Sequence, residues 1–122
     1  MMELEIGGKP YSFRFGIGFV KEITTQAKTL GVDQDTALRY TIAQLLDHNV
    51  IALERALMAA NKTCTPRLTV SQLDAWIEDE STDIDAAFDA VIDFLSASNC
   101  TRRETSDLVQ AYQTLKKEQE SK

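Results

Sequence analysis

The chain has 122 residues, 43% of them hydrophobic and 26% charged, with 13 basic against 19 acidic side chains and a formal net charge of −6. That length supports one core, that composition belongs to a folded chain, and that charge opposes nonspecific attraction to nucleic acid or an anionic membrane surface. Cys64 and Cys100, far apart and without a Cys-x-x-Cys, exclude a disulfide scaffold and are expected to be reduced, half-buried thiols.

In chain order, Leu4 and Ile6 alternate with Glu3 and Glu5, Gly7-Gly8-Lys9-Pro10 supplies a turn, and Tyr11, Phe13 and Phe15 alternate with Ser12 and Arg14. This two-residue period predicts a half-buried hairpin over residues 3–15. Its aromatic face must be covered, and only the helices downstream are available to do it. Gly16 and Gly18 flank Ile17 where strand passes into helix, and the expected reason for them is a junction needing unusual φ values or close approach. A phosphate cradle is a poor reading, because the third glycine, the Lys-Ser/Thr pair and a βαβ context are missing.

Phe19, Ile23, Ala27 and Leu30 recur at helical spacing and Gly31 follows as a C′ glycine would, which predicts one helix over about residues 17–30. After a cap at Asp33 or Asp35, Ala37, Leu38, Ile42, Leu45 and Leu46 form the next stripe. Asp47-His48-Asn49 interrupts it as an elbow, and Val50, Leu53, Leu57 and Ala60 resume it. His48 is the one histidine; with no partner in sequence it reads as a helix-end or exposed residue, not a base or a metal ligand. Asn61 to Arg67, with Pro66, is the main loop.

Thr69-Val70-Ser71-Gln72 spells a capping box ahead of Leu73, Trp76 and Ile77. Trp76 reads first as a core anchor and second as an exposed anchor for a partner. From Leu68 to Thr101 there is no lysine or arginine, while Asp74, Glu78, Asp79, Glu80, Asp83, Asp85, Asp89 and Asp93 supply eight acids. A calcium loop beginning at Asp79 fails, since Ile84 stands where the glycine is needed and Ala90 where the bidentate glutamate is needed. Thr82-Asp83-Ile84-Asp85 reads instead as a capping box, followed by the stripe Ile84, Phe88, Val91, Ile92 and Leu95, with the acids on the opposite face. Thr101-Arg102-Arg103-Glu104 reads as another box, before a thin stripe of Leu108, Val109, Tyr112 and Leu115 and a polar end from Lys116 to Lys122 that should fray first.

The expected architecture is mainly α within the α+β class: a hairpin packed on about six short helices spanning residues 17–119, in one domain over 1–122. The expected core is Leu4, Ile6, Phe13, Phe15, Phe19, Ile23, Leu38, Ile42, Leu45, Leu53, Leu57, Phe88, Val91, Ile92 and Leu95. No nucleophile motif, partnered histidine or apolar-framed carboxylate pair is visible, so no catalytic residue, metal or cofactor is expected, although carboxylates converging from distant helices would leave no trace. The start Met1-Met2-Glu3-Leu4-Glu5 lacks a basic segment leading into an apolar one, so a cytosolic location is expected and the patterns Asn61-Lys62-Thr63 and Asn99-Cys100-Thr101 read as accidental glycosylation matches. Three surfaces are candidates for binding: the aromatic edge of the hairpin, the acidic face of residues 74–93, and the final helix.

The acidic and apolar start, the Gly-Gly turn and the run Tyr11-Ser12-Phe13-Arg14-Phe15-Gly16-Ile17-Gly18-Phe19 resemble the opening of the phage tail assembly chaperones of long-tailed phages, with residues 3–23 carrying the match. The resemblance implies a protein of the host cell cytoplasm that binds and solubilises the tape measure protein, helps bring tail tube subunits to it, and is absent from the finished virion. It also implies a longer product made by ribosomal frameshifting, for which Lys116-Lys117 marks a position where slippery codons could lie; the tube protein would be recruited through that form. With self-association as a further expectation, the partner-binding residues would be Tyr11, Phe13, Phe15, Phe19, Trp76, Leu108 and Tyr112. Two other readings of the residues stand beside it: a virion structural or tail-completion protein, and a small acidic regulator that occupies a basic partner surface.

Overall fold

The structure is a computed structural model that describes residues 1–120; Ser121 and Lys122 of the polar end lie outside the described residues. Strands β1 (Met2–Ile6) and β2 (Lys9–Phe13) form the antiparallel hairpin. The turn is tighter than expected: Gly7 and Gly8 alone make it, at φ +61° and +80°, and Lys9 and Pro10 already belong to β2. Positive φ at both central residues is the condition for the hairpin turn whose twist matches that of its strands, and glycine meets it at little steric cost. Pairing of Met2 with Phe13 and Leu4 with Tyr11 puts the apolar side chains on one face, and Met2, Ile6, Tyr11 and Phe13 are buried.

Among the described residues seven helices follow: α1 (Ile17–Thr25), α2 (Ala27–Leu30), α3 (Ala37–Leu46), α4 (Val50–Asn61), α5 (Val70–Glu78), α6 (Ile84–Ala97) and α7 (Arg102–Glu120). The extra helix comes from a break at Gln26, inside the segment expected to be continuous. There the Gln26 amide bonds back to Ile23 at 3.1 Å, and the hydroxyls of Thr24 and Thr25 donate to the carbonyls of Val20 and Glu22. Paired β-branched hydroxyls compete with the helix ladder in this way, and the last turn tightens. Gly31, at φ +72°, then ends α2, with its own amide bonded to Lys28 and that of Val32 to Ala27. These are the two bonds of a left-handed helix C-terminus.

Helix α4 is the centre. It packs against α1, α3, α5 and β2, and Ala52, Leu53, Ala56, Leu57, Ala59 and Ala60 are all buried. A helix enclosed on several sides needs small residues where neighbouring backbones approach, which is why the alanines, absent from the expected core, belong to it. The hairpin closes the core through α4, α5 and α6, and α7 closes it through α3 and α6. Of the expected core only Leu4, Leu38 and Ile92 are half-buried rather than buried.

One buried polar residue ties these parts together. Asn61, fully buried at the end of α4, donates from Nδ2 to the carbonyls of Ser12 (3.0 Å) and Pro66 (3.2 Å) and accepts at Oδ1 from the Leu68 amide (2.7 Å). The Arg14 amide donates to the Ala60 carbonyl beside it at 2.9 Å. A carboxamide presents both donor and acceptor to a buried place where strand, loop and helix leave unpaired backbone groups, and this is what the loop from Asn61 to Arg67 is folded around. At the far end of the hairpin, the Ser98 hydroxyl donates to the Phe15 carbonyl at 2.6 Å and fixes the end of α6.

Candidate partner-binding surface

The elbow between α3 and α4 is built by local chemistry. His48 takes φ +56°, its amide bonding to Leu45 and that of Asn49 to Gln44, a left-handed C-terminus made without glycine. Asn49 caps α4, its side chain accepting from the Ala52 amide at 3.1 Å. The His48 ring then reaches α6, stacking on Phe88 with centroids 4.5 Å apart and meeting Asp85 at 3.0 Å. Half exposed and at a helix end, as its sequence setting indicated, the histidine also pins the elbow to the acidic helix.

Helix α6 starts one residue later than the expected capping box requires. Asp83, not Thr82, is the N-cap, accepting from the Ala86 amide at 3.0 Å; a carboxylate is the stronger acceptor at the positive end of a helix. Thr101 likewise directs its buried hydroxyl back to the Leu95 carbonyl, at 2.6 Å, where a box had been expected at the start of α7. The Thr69 box forms as its spacing indicated, with both reciprocal bonds to Gln72.

Three of the shallow hollows on the described surface border residues of the expected binding set. The first, of about 480 Å3, lies between the elbow, α6 and α7, with Leu46, Ile92, Val109 and Tyr112 as its apolar wall and Asp47 and Asp89 at its edge. A second, also about 480 Å3, lies at the strand-to-helix junction among Met1, Phe13, Phe15, Phe94 and Arg14. A third, of about 310 Å3, lies beside the hairpin tip among Ile6, Tyr11, Gln72 and Trp76.

The residues proposed for binding divide sharply. Tyr11, Phe13, Phe15 and Phe19 are buried, Phe15 and Phe19 meeting edge to face at 5.1 Å, so the hairpin's aromatics cover the chain's own core. Trp76 and Leu108 are half-buried against the core, and Tyr112 is 41% exposed. Leu108 and Tyr112 share α7, whereas Trp76 lies on α5 beside the hairpin. Ile17, Ile51 and Leu115 are exposed apolar residues outside the expected set; a helical stripe read by spacing does not show which of its members the fold leaves uncovered.

Gly16 and Gly18 are not explained by the junction. Neither has positive φ, a Cβ at Gly16 would meet nothing within 4 Å, and one at Gly18 would make an ordinary 3.6 Å contact with Thr63. The cysteines are free, and neither is half-buried as expected: Cys64 is buried and Cys100 exposed.

The fold also forms a carboxylate pair that the sequence conceals. Glu54 of α4 shares a hydrogen bond with Asp74 of α5; that bond, then burial, then the Asp74 charge push the Glu54 carboxyl up to about 7. Across the α3–α4 contact, Arg55 donates to the Gln44 side chain, which in turn donates to the Tyr40 hydroxyl at 3.3 Å. Burial lowers the Arg55 pKa from its ordinary value. Among the described residues no group of three or more His, Cys, Asp or Glu side chains is placed to hold a metal ion, and no helix is long and apolar enough to cross a membrane.

Fold and surface together define a mainly helical α+β domain with a hairpin cap, shallow apolar hollows and one strongly acidic face. The chain belongs to the phage tail assembly chaperone family: the model of a family described as phage tail assembly chaperone protein, TAC, matches residues 3–110. That span takes in the hairpin and runs into the middle of α7. No curated protein and no solved structure matches the chain.

Proposed function

We propose that the chain holds the tape measure protein in solution during tail assembly and helps bring tail tube subunits to it, in the host cytoplasm, and that it is left behind when the tail is complete. The observation that carries this reading is the family match over residues 3–110. The surface is consistent with it: half-buried and exposed apolar residues on α7 and at the elbow lie beside a dense acidic face, so the domain offers shallow apolar contact without losing its own solubility. Many weak copies along one long client would hold it through avidity rather than through individual affinity. No chemical step is required of the chain, and its role is binding. The tube protein would be recruited through a longer, frameshifted form; Lys116-Lys117, the candidate position, lies beyond the matched span.

Co-expression of the chain with the tape measure protein of its own phage tests the proposal. The tape measure protein should move from the pellet to the supernatant and elute together with the chain. A tape measure protein that stays in the pellet, or is equally soluble alone, would remove the solubilising role.

A further inference from the structure

We infer that the hollow between the α3–α4 elbow, α6 and α7 receives a basic amphipathic helix, the apolar side chains of that helix entering against Leu46, Ile92, Val109 and Tyr112 and its lysines or arginines lying over Asp47 and Asp89. That such a helix belongs to the tape measure protein rests on the function proposed above; the hollow's preference for basic partners does not.

The apolar wall comes from three elements that the fold brings together. Ile92 and Val109 are half-buried and Tyr112 is 41% exposed, so the wall is accessible without unfolding. With about 480 Å3 open to solvent, the hollow has room for several side chains from one face of a helix. Anchors at helical spacing entering such a groove are a recurrent way of recognising a helix.

Charge selects the partner. Asp85, Asp89 and Asp93 recur every four residues along α6 and are exposed, which sets them in a line past the edge of the hollow. No lysine or arginine lies between Leu68 and Thr101 to offset them. Helix α3 ends at the same place, at Leu46, and its C-terminal carbonyls add negative potential there. Lys116 of α7 borders the hollow from the other side, and His48, which also lines it, holds Asp85 at 3.0 Å, so Asp47 and Asp89 are the acids that the hollow presents to a partner. A helix with glutamates beside its apolar stripe would meet these charges unfavourably, whereas one with lysines or arginines would be steered to them.

The test uses the full chain and two synthetic amphipathic peptides of about 18 residues with the same leucine stripe, one flanked by lysines and the other by glutamates. Binding is measured by calorimetry and mapped by backbone amide shifts. The lysine peptide should bind, shift amides of Leu46, Ile92, Val109 and Tyr112, and weaken steeply from about 50 mM to about 300 mM salt. Asp89→Lys and Tyr112→Ala, both at exposed positions, should each weaken it roughly tenfold. Equal binding of the two peptides, absence of binding by the lysine peptide, or shifts confined to another face would overturn the inference. The same variants in the tape measure co-expression separate the two claims. Undiminished solubilisation by Asp89→Lys and Tyr112→Ala would refute the hollow as the client's site and leave the chaperone function intact. A lysine peptide mapped to the hollow with no effect of the chain on the tape measure protein would support the hollow and refute the function.

Discussion

Replacing Asn61 with alanine should be among the most damaging single changes in the chain, although the residue touches no proposed partner. It removes three hydrogen bonds, to the Ser12 and Pro66 carbonyls and from the Leu68 amide. A net contribution of ~1 kcal/mol per bond gives about 3 kcal/mol, and the stranding of the buried Leu68 amide raises the loss to about 4 kcal/mol. Against a total stability of ~5–15 kcal/mol that is a large fraction, and it corresponds to a fall in Tm of roughly 10–15 °C. Urea titrations followed by Trp76 fluorescence and by circular dichroism measure it. Asn61→Asp sharpens the test, because it keeps the acceptor for Leu68 but turns a carboxylate toward the two carbonyl oxygens. It should cost at least as much as alanine despite its nearly identical shape. A loss below about 1 kcal/mol for alanine, or an aspartate variant as stable as wild type, would refute the claim that this residue anchors the hairpin to the loop.

The carboxylate pair predicts a pH dependence of definite sign. The folded pKa of Glu54, about 7, lies above the ordinary value of 4.5, so its contribution is fully present below 4.5 and is lost as pH rises through about 7. Glu54→Gln should therefore gain stability relative to wild type at pH above 7 and flatten the profile of the urea midpoint; identical profiles for the two proteins would contradict it. In α1, Gly18→Ala should stabilise by about 0.5–1 kcal/mol in the same titration, since φ is negative and the new methyl makes only an ordinary contact. Gly8→Ala, at φ +80°, should instead cost about 1 kcal/mol. A destabilised Gly18→Ala would mean that the junction needs its glycine after all.

How much of this was legible depended on the range of each interaction. The alternation of Ile6, Tyr11 and Phe13, the Thr69 box and the α6 stripe of Phe88, Val91 and Leu95 are short-range patterns, and each is where its spacing placed it. Gln26 broke a helix whose apolar spacing was continuous, because the competition came from the hydroxyls of Thr24 and Thr25, which a hydrophobic pattern does not register. The alanines of α4 gave no size signal, yet their small size is what lets four elements pack around one helix. Asn61 looked like a loop residue because its partners lie 49, 5 and 7 positions away. Glu54 and Asp74 stand on different helices and meet only in the fold.

The same limit applied to the surface. Aromatic residues on the hairpin suggested a binding edge, but burial of Tyr11, Phe13, Phe15 and Phe19 leaves Trp76, Leu108 and Tyr112 as the accessible members of that set. The hollow that Tyr112 borders needs the elbow at His48, the acidic helix and α7 at once, and no local motif spells out their meeting. The residues that form it, Leu46, Ile92 and Val109, read in sequence simply as stripe members.

The most direct test of the chaperone account is an affinity capture of the chain from cells expressing its own phage genes, with bound proteins identified by mass spectrometry and purified particles assayed for the chain in parallel. The account predicts that the tape measure protein is recovered from the lysate and that the particles lack the chain. Its presence in purified particles at stoichiometric levels, or a capture containing no tape measure protein, would contradict that account.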